Sequence, residues 1–233
     1  LHACDWEVAV ARLASLVGEA DRSIVVLVGG RASCESIGWA LRLAGEAPRA
    51  AAMRVPFGDE APIGAIPGLA LRRERAANLE GARMLGMTSN WGDALAALDG
   101  AALAIVLDAD LDDAGIIALN QVPHVVQLAT VPDPRLQTAE LVLPIATMAE
   151  EQGVYVNRDR RAQRYLPARP APGMARPAWW VAAHAWSRGA PGRHAPATAS
   201  EAFGLLAPFA GLTYRDLGLT GRIVGSTPAG VTT

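Results

Sequence analysis

The stretch Ala139–Gln163, reading A-E-L-V-L-P-I-A-T-M-A-E-E-Q-G-V-Y-V-N-R-D-R-R-A-Q, decides how this chain is read. Leu141, Val142 and Leu143 form an apolar run that Pro144 must end, because proline has no N–H to give a sheet ladder. Glu150, Glu151 and Gln152 lead into Gly153, where a chain reversal needing positive φ costs least, so the sequence predicts that conformation there. Val154-Tyr155-Val156 is a second β-prone run. It delivers Asn157, Arg158, Arg160 and Arg161 to one place.

Upstream of this stretch, buried-strand runs alternate with amphipathic helices. Trp6, Ala9, Val10, Leu13 and Leu16 share one helical face, with Asp5 available as N-cap. Ile24–Val28 is an unbroken β-branched and leucine run ending in Gly29-Gly30, the pattern of a strand buried on both faces. Ile37, Ala40, Leu41 and Ala44 repeat the helical spacing, and Gly45 can close that helix. Ala50–Val55 predicts a short strand, and Phe57–Leu71 a loop. Asn90 can cap a helix presenting Trp91, Ala94, Leu95 and Leu98. Strand Ala102–Leu107, a helix from about Asp112 to Gln121, and strands His124–Leu128 and Leu141–Leu143 complete the series. The expected fold is α/β, an open, mostly parallel sheet with helices on both faces. Beyond Tyr165 the prolines at 167, 170, 172, 177, 191 and 196 interrupt the chain. We therefore divide it into an α/β domain, 1–165, and an extended Pro-rich arm, 166–233, with short helices around Trp179–Trp186 and Ser200–Leu206 and a weakly structured tail.

The order of parts in Ala139–Gln163 resembles the molybdopterin oxidoreductase superfamily. There, a V-L-P strand end is followed by an acidic residue, then a glycine, then N-x-x-x-R-x-Q. Leu143-Pro144, Glu150 or Glu151, Gly153, Asn157, Arg161 and Gln163 fill those positions. More narrowly, the chain is similar to the large iron–sulfur subunits of bacterial NADH:quinone oxidoreductase (respiratory complex I), in their C-terminal, molybdopterin-oxidoreductase-like part. Ala77–Ala82 with Leu85-Gly86-Met87, and Pro208–Tyr214 with Leu217-Gly218, fit the narrower match. The resemblance implies a degenerate, non-catalytic copy of the enzyme fold, a scaffold in the peripheral arm beside that arm's other subunits, at the cytoplasmic face of the inner membrane. The parent complex would carry electrons from NADH through FMN and 2Fe-2S and 4Fe-4S clusters to quinone. It also leaves two alternatives, a fragment of a catalytic enzyme using molybdopterin guanine dinucleotide and a stand-alone protein-interaction module.

Composition removes several function classes. With 233 residues and 51% hydrophobic side chains the chain can bury a substantial core. Its mean hydropathy of +0.20 is high, yet apolar runs such as Ala101–Leu107 are far too short to cross a bilayer. No signal peptide is read at the start, and an opening Leu1 in place of methionine leads us to expect a piece of something longer. All 21 basic residues are arginine, which excludes Schiff-base, P-loop and general-base lysines. A net charge of −2 gives no global basic field for nucleic acid. Cys4 and Cys34 are the only cysteines, too few for an iron–sulfur cluster, which usually takes four thiolates; Cys34 reads as a small buried hydrophobe, with a catalytic thiolate favoured by the nearby helix start as the alternative. The four histidines have no metal-ligand spacing.

Open parallel sheets bind ligands beyond the carboxyl ends of their strands, at the switch in strand order. Gly29, Gly30, Asp108, Asp110, Thr130 and Asp133 fall at such ends. In cofactor-bearing relatives, the resemblance implies, the matching loops together with Asn157 and Arg161 would hold the pterin nucleotide. Here we expect no catalytic residue, metal or cofactor in the chain, and loops kept for packing. Gly29-Gly30 does not open a G-x-G-x-x-G fingerprint, because Arg31 or Ala32 fills the second glycine position, so NAD is disfavoured. Arg158, Arg160 and Arg164, with Trp179, Trp180 and Trp186 of the arm, are candidates for a protein interface.

Overall fold

The computed structural model describes residues 3–45, 48–64, 66 and 70–225. The predicted tail beyond 225 and parts of the predicted loop Phe57–Leu71 lie outside them. Helix α1 (Trp6–Ala20) starts at Asp5, whose carboxylate accepts the Val8 N–H. Strand β1 (Ile24–Val28) leads to α2 (Cys34–Ala44), capped by Ser33, and then to β2 (Ala50–Met53). A small hairpin follows, β3 (Ala61–Pro62) against β4 (Ala70–Leu71). Next come α3 (Leu79–Met84), α4 (Trp91–Ala96), β5 (Leu103–Leu107), α5 (Asp113–Leu119), β6 (His124–Ala129) and β7 (Ala139–Pro144).

These strands make one five-stranded sheet of order β2-β1-β5-β6-β7, parallel at every pairing. The order turns back at β1, which has β2 on one side and β5 on the other. Successive side chains of a strand point to opposite faces, and β1 shows the consequence. Ile24, Val26 and Val28 enter the core under α1 and α2, whereas Val25 and Leu27 enter a second core with Trp91, Leu98, Ile116 and Leu119. Helices thus cover both faces, as the sequence predicts. No helix among the described residues is long and apolar enough to cross a membrane.

Pro144 is the last residue of β7 and stands on the sheet's edge, where a missing donor is tolerated. A hairpin follows, β8 (Gly153–Val156) with β9 (Arg161–Tyr165), joined by β10 (Arg222–Ile223) into a second, antiparallel sheet. Gly153 is not among the positive-φ residues, which corrects the backbone expected there. Within the hairpin turn it is Arg160 that takes φ 57°.

The described part of the predicted arm, 166–225, departs from an extended chain. Among the described residues its proline-bearing stretches 166–177 and 189–198 lack helix and named strand. Helix α6 (Ala178–Arg188) packs against α1 and α2 and puts Trp179, Val181, Ala182, Ala183 and Ala185 into the first core. Helices α7 (Ala199–Gly204) and α8 (Tyr214–Leu217) add Ala202, Phe203, Tyr214 and Leu217 to it. Small and aromatic side chains make α6 apolar enough to be claimed by the domain's own core.

Candidate functional site

The carboxyl ends of β1, β5 and β6 open into a crevice at the turn in strand order. Two clefts, of about 280 and 400 Å³, lie side by side there and share Arg31, Asp108 and Thr130. Six residues predicted from sequence gather at this edge. Asp108, Asp110, Thr130 and Asp133 line the clefts, and Gly29 and Gly30 form the turn leaving β1.

Each group is engaged by its neighbours. A Cβ on Gly29 would stand 1.9 Å from the Asp108 carbonyl oxygen, so backbone of the β5 turn fills that space. Asp108 itself takes φ 43°, a conformation that asparagine and aspartate tolerate better than most residues. Its Oδ1 accepts the Thr130 N–H at 3.1 Å and the Thr130 hydroxyl at 2.7 Å, tying the end of β5 to the end of β6. Arg31, at the position where a dinucleotide fingerprint would place glycine, reaches Asp108 at 3.6 Å and Asp110 at 3.7 Å. Both Asp133 oxygens accept from Arg135, at 3.0 and 2.8 Å, and Arg135 also meets Asp113 at 3.0 Å. The hydrogen bonds from Arg135 hold the Asp133 carboxyl below the usual range.

Asn157 and Arg161 do not join the crevice. The Asn157 side-chain oxygen accepts from the Asp159 and Arg161 N–H groups and so builds the β8–β9 turn. The Arg161 guanidinium donates to the Gly221 carbonyl at 3.3 Å, toward β10. Their spacing, N-x-x-x-R, is that of a hairpin turn, and turn chemistry explains it. Of the interface candidates, Trp179 is buried, Trp180 and Trp186 are half-buried, and Arg158, Arg160 and Arg164 are exposed along the hairpin. Arg158 pairs with Asp159 and Arg160 with Glu80.

Sequence reasoning missed the buried polar cluster behind the crevice. Glu35, in the first turn of α2, is fully buried; it accepts the Val154 N–H at 3.0 Å and the Tyr214 hydroxyl at 2.6 Å. Glu151 lines the crevice, accepts the Tyr165 hydroxyl at 3.1 Å, and keeps a second, buried oxygen without a partner. Burial pushes Glu35 up to about 7, against the pull of Tyr214 and Val154, and pushes Glu151 up to about 8, with the charge of Glu35 adding to it. Asn78 completes the set, giving an N–H to the Ala32 carbonyl and accepting the Val156 N–H and the Cys34 thiol. Cys34 is buried, and burial raises its thiol well above the usual value, so it is no activated nucleophile. Nothing in the spacing of Glu35, Asn78 and Glu151 marks them as neighbours; only the hairpin brings them together.

An all-parallel open sheet with a crevice at its switch point defines a class, the ligand-binding α/β folds. The family is narrower. The model for molybdopterin oxidoreductase matches residues 66–184, just over half of the chain, which belongs to that family. Among curated relatives, the iodate reductase subunit IdrA of Pseudomonas sp. (strain SCT) is 31% identical over 101 residues, 43% of this chain and 11% of that protein. The F420-dependent formate dehydrogenase 2 subunit alpha of Methanococcus maripaludis is 38% identical over 88 residues, 36% of this chain and 13% of that protein. The chain thus matches about an eighth of the length of these relatives or less.

Proposed function

We propose that this chain is a non-catalytic molybdopterin-oxidoreductase fold that serves as scaffold in the large iron–sulfur subunit of an NADH:quinone oxidoreductase. The family is established; its use as scaffold, and in that complex, is our reading. One observation carries the non-catalytic part. Arg31 crosses the crevice to Asp108 and Asp110, where a pterin nucleotide would need open backbone and free polar groups. A guanine would want a free carboxylate and phosphates would want free N–H groups, but Asp133 is taken by Arg135 and the space at Gly29 by the Asp108 peptide. We therefore read the crevice as occupied by its own groups in place of that cofactor. The assignment to complex I rests on the motifs around Ala77–Met87 and Pro208–Gly218. With it come the neighbouring peripheral-arm subunits as partners and the cytoplasmic face of the membrane as location.

A second reading has its own support, since the relatives above are named as a reductase and a dehydrogenase. In that case the chain is a fragment of a catalytic enzyme. Metal analysis of the parent protein, purified from its native host, separates the two. Scaffold function predicts no molybdenum or tungsten bound in this region, and deletion of residues 1–233 should block assembly of the peripheral arm on native gels. Near-stoichiometric molybdenum that disappears in an Asp108→Ala, Thr130→Ala variant would establish the second reading in its place.

A further inference from the structure

The end of the sheet opposite the crevice, where β1 begins, carries a groove that membership of the family leaves without a role. Two clefts of about 570 and 550 Å³ meet there, and Arg42, Gly45, Trp186 and Arg193 line both. The Arg42 guanidinium carbon stands 4.8 Å from the centroid of the Trp186 ring and that of Arg193 stands 4.7 Å from it. Arg42 also lies 5.0 Å from Trp39, which meets Trp186 edge-on at 5.6 Å. Cation–π contacts at exposed sites are individually weak. Their larger effect here is to fix where two positive charges stand, within about one Debye length, roughly 10 Å, of each other. Arg22 lines the same groove.

Among the described residues, none of these three arginines is in an ion pair. Among the described residues of the lining, Asp21 is the one acidic side chain against these three arginines. The C-terminal ends of α1, α2 and α6 point this way too; they hold the arginines in place and offset part of the positive charge, because helix C-termini favour cations. Arg42 answers with one N–H to the Leu205 carbonyl at 3.3 Å, and Arg193 with one to the Trp186 carbonyl at 3.4 Å. Each guanidinium has five donors, so most of them remain for an incoming acceptor.

We infer that this groove docks an acidic segment of another polypeptide, its carboxylates bridging Arg42 and Arg193 across Trp186. A small anion would need only the arginines. The joined clefts are longer than that and have an apolar floor that includes Val17, Leu85 and Leu206, which suits a segment carrying aliphatic side chains between its acids. Arginine and tryptophan are the residues that most often anchor such contacts. The groove is remote from the crevice, so the proposal holds whether or not the crevice takes a cofactor.

The test is fluorescence anisotropy with the whole chain and a short labelled peptide of repeating glutamate, alanine and leucine. Saturable binding is expected, weakening as salt is raised. The Arg42→Gln, Arg193→Gln double variant should bind about tenfold more weakly, a loss of about 1.4 kcal/mol, while an Arg42→Lys, Arg193→Lys pair recovers part of it. An Arg72→Gln, Arg73→Gln pair beside the β3–β4 hairpin, outside the groove, should bind as the parent does. Thermal unfolding of each variant shows that it is folded. Three results would overturn the proposal: no saturable binding, equal loss in the hairpin pair, or pyrophosphate displacing the peptide while leucine-to-serine changes in it have no effect. The last would make the groove a small-anion site.

Discussion

A Cβ built on Gly153 would stand 2.6 Å from the Tyr165 hydroxyl oxygen and 2.8 Å from the Ser33 Cβ. The glycine is required by close approach of β8 to the start of α2, and its backbone could be adopted by any residue. Gly153→Val should therefore destabilise the domain by about 1–3 kcal/mol, the usual cost of overpacking, and Gly153→Ala should already show part of it. Urea unfolding midpoints would check this, and an unchanged alanine midpoint would mean that Tyr165 moves aside at no cost. Asn78 is the second such residue. It is fully buried, and it bonds the turn after β1, the cysteine of α2 and the backbone of β8. Asn78→Ala leaves the Val156 N–H and the Ala32 carbonyl without partners, and a buried unsatisfied group costs about 1–3 kcal/mol. The expected result is a lower unfolding midpoint and faster hydrogen exchange at Val156 than at Val126 in the main sheet. Neither residue's task was legible. A lone glycine advertises turn geometry, and a lone asparagine a cap, before the long-range neighbour is known.

The β8–β9 hairpin is fastened to the rest of the molecule by two buried carboxyl groups without a cation. Glu35 accepts from Val154 in β8 and from Tyr214 in α8, and Glu151 accepts from Tyr165 in β9. Among the described residues neither is in an ion pair, and each faces tyrosines and the other acid. Their folded values, about 7 and about 8, lie above the ordinary 4.5. Raised carboxyls make the folded state the better proton binder, so their stabilisation is complete below about pH 4.5 and is lost as pH rises through 7 to 8. The two titrate as a coupled pair. Carboxyls held low, such as Asp133, Glu140 and Glu150, act oppositely, and their contribution is lost as pH falls toward and below the ordinary carboxyl values. Stability should therefore be greatest in mildly acid solution and fall by on the order of a few kcal/mol by pH 9. A Glu35→Gln, Glu151→Gln variant should flatten the alkaline side of that curve, as read by unfolding midpoints at several pH values. An equally steep decline in the variant would place the sensitivity elsewhere. At this scale the main sheet was readable because β1 and β5 are unbroken apolar runs, and α1, α2, α4 and α5 have caps and periodicity. Strand β9 was not, since Arg161–Tyr165 buries only Ala162 fully, and α8 is a single turn.

Over the whole molecule, the prolines between 167 and 177 announce a break in secondary structure but not where the chain goes next. It goes back across the first face of the sheet. Ala175 is already buried at the end of that passage, and α6 then lies along α1 and α2 with Val181, Ala183 and Ala185 fully buried. Trp39 donates its indole N–H to the Ala202 carbonyl at 3.0 Å, Phe203 and Phe209 stack at 4.5 Å, and Leu206 closes against Gly38. The tryptophans and prolines were legible as unusual, and their destination was not, because an alanine- and tryptophan-rich helix suits a core and an interface alike. The consequence is measurable. Fully burying one large aliphatic or aromatic side chain is worth about 1.5–3 kcal/mol, and a domain's net stability is only about 5–15 kcal/mol. Removing residues 166–233 strips several such side chains from the core and exposes the apolar face of α2 around Ile37 and Trp39. The truncated chain 1–165 should therefore fail to give a cooperative thermal transition and should bind hydrophobic dyes, whereas the full chain unfolds in one step. Single Phe203→Ala should cost about 3–5 kcal/mol and shift that one transition rather than create a second. If 1–165 melts cooperatively near the full chain's midpoint, the helices after Pro177 are an appendage after all, and the core closes without them.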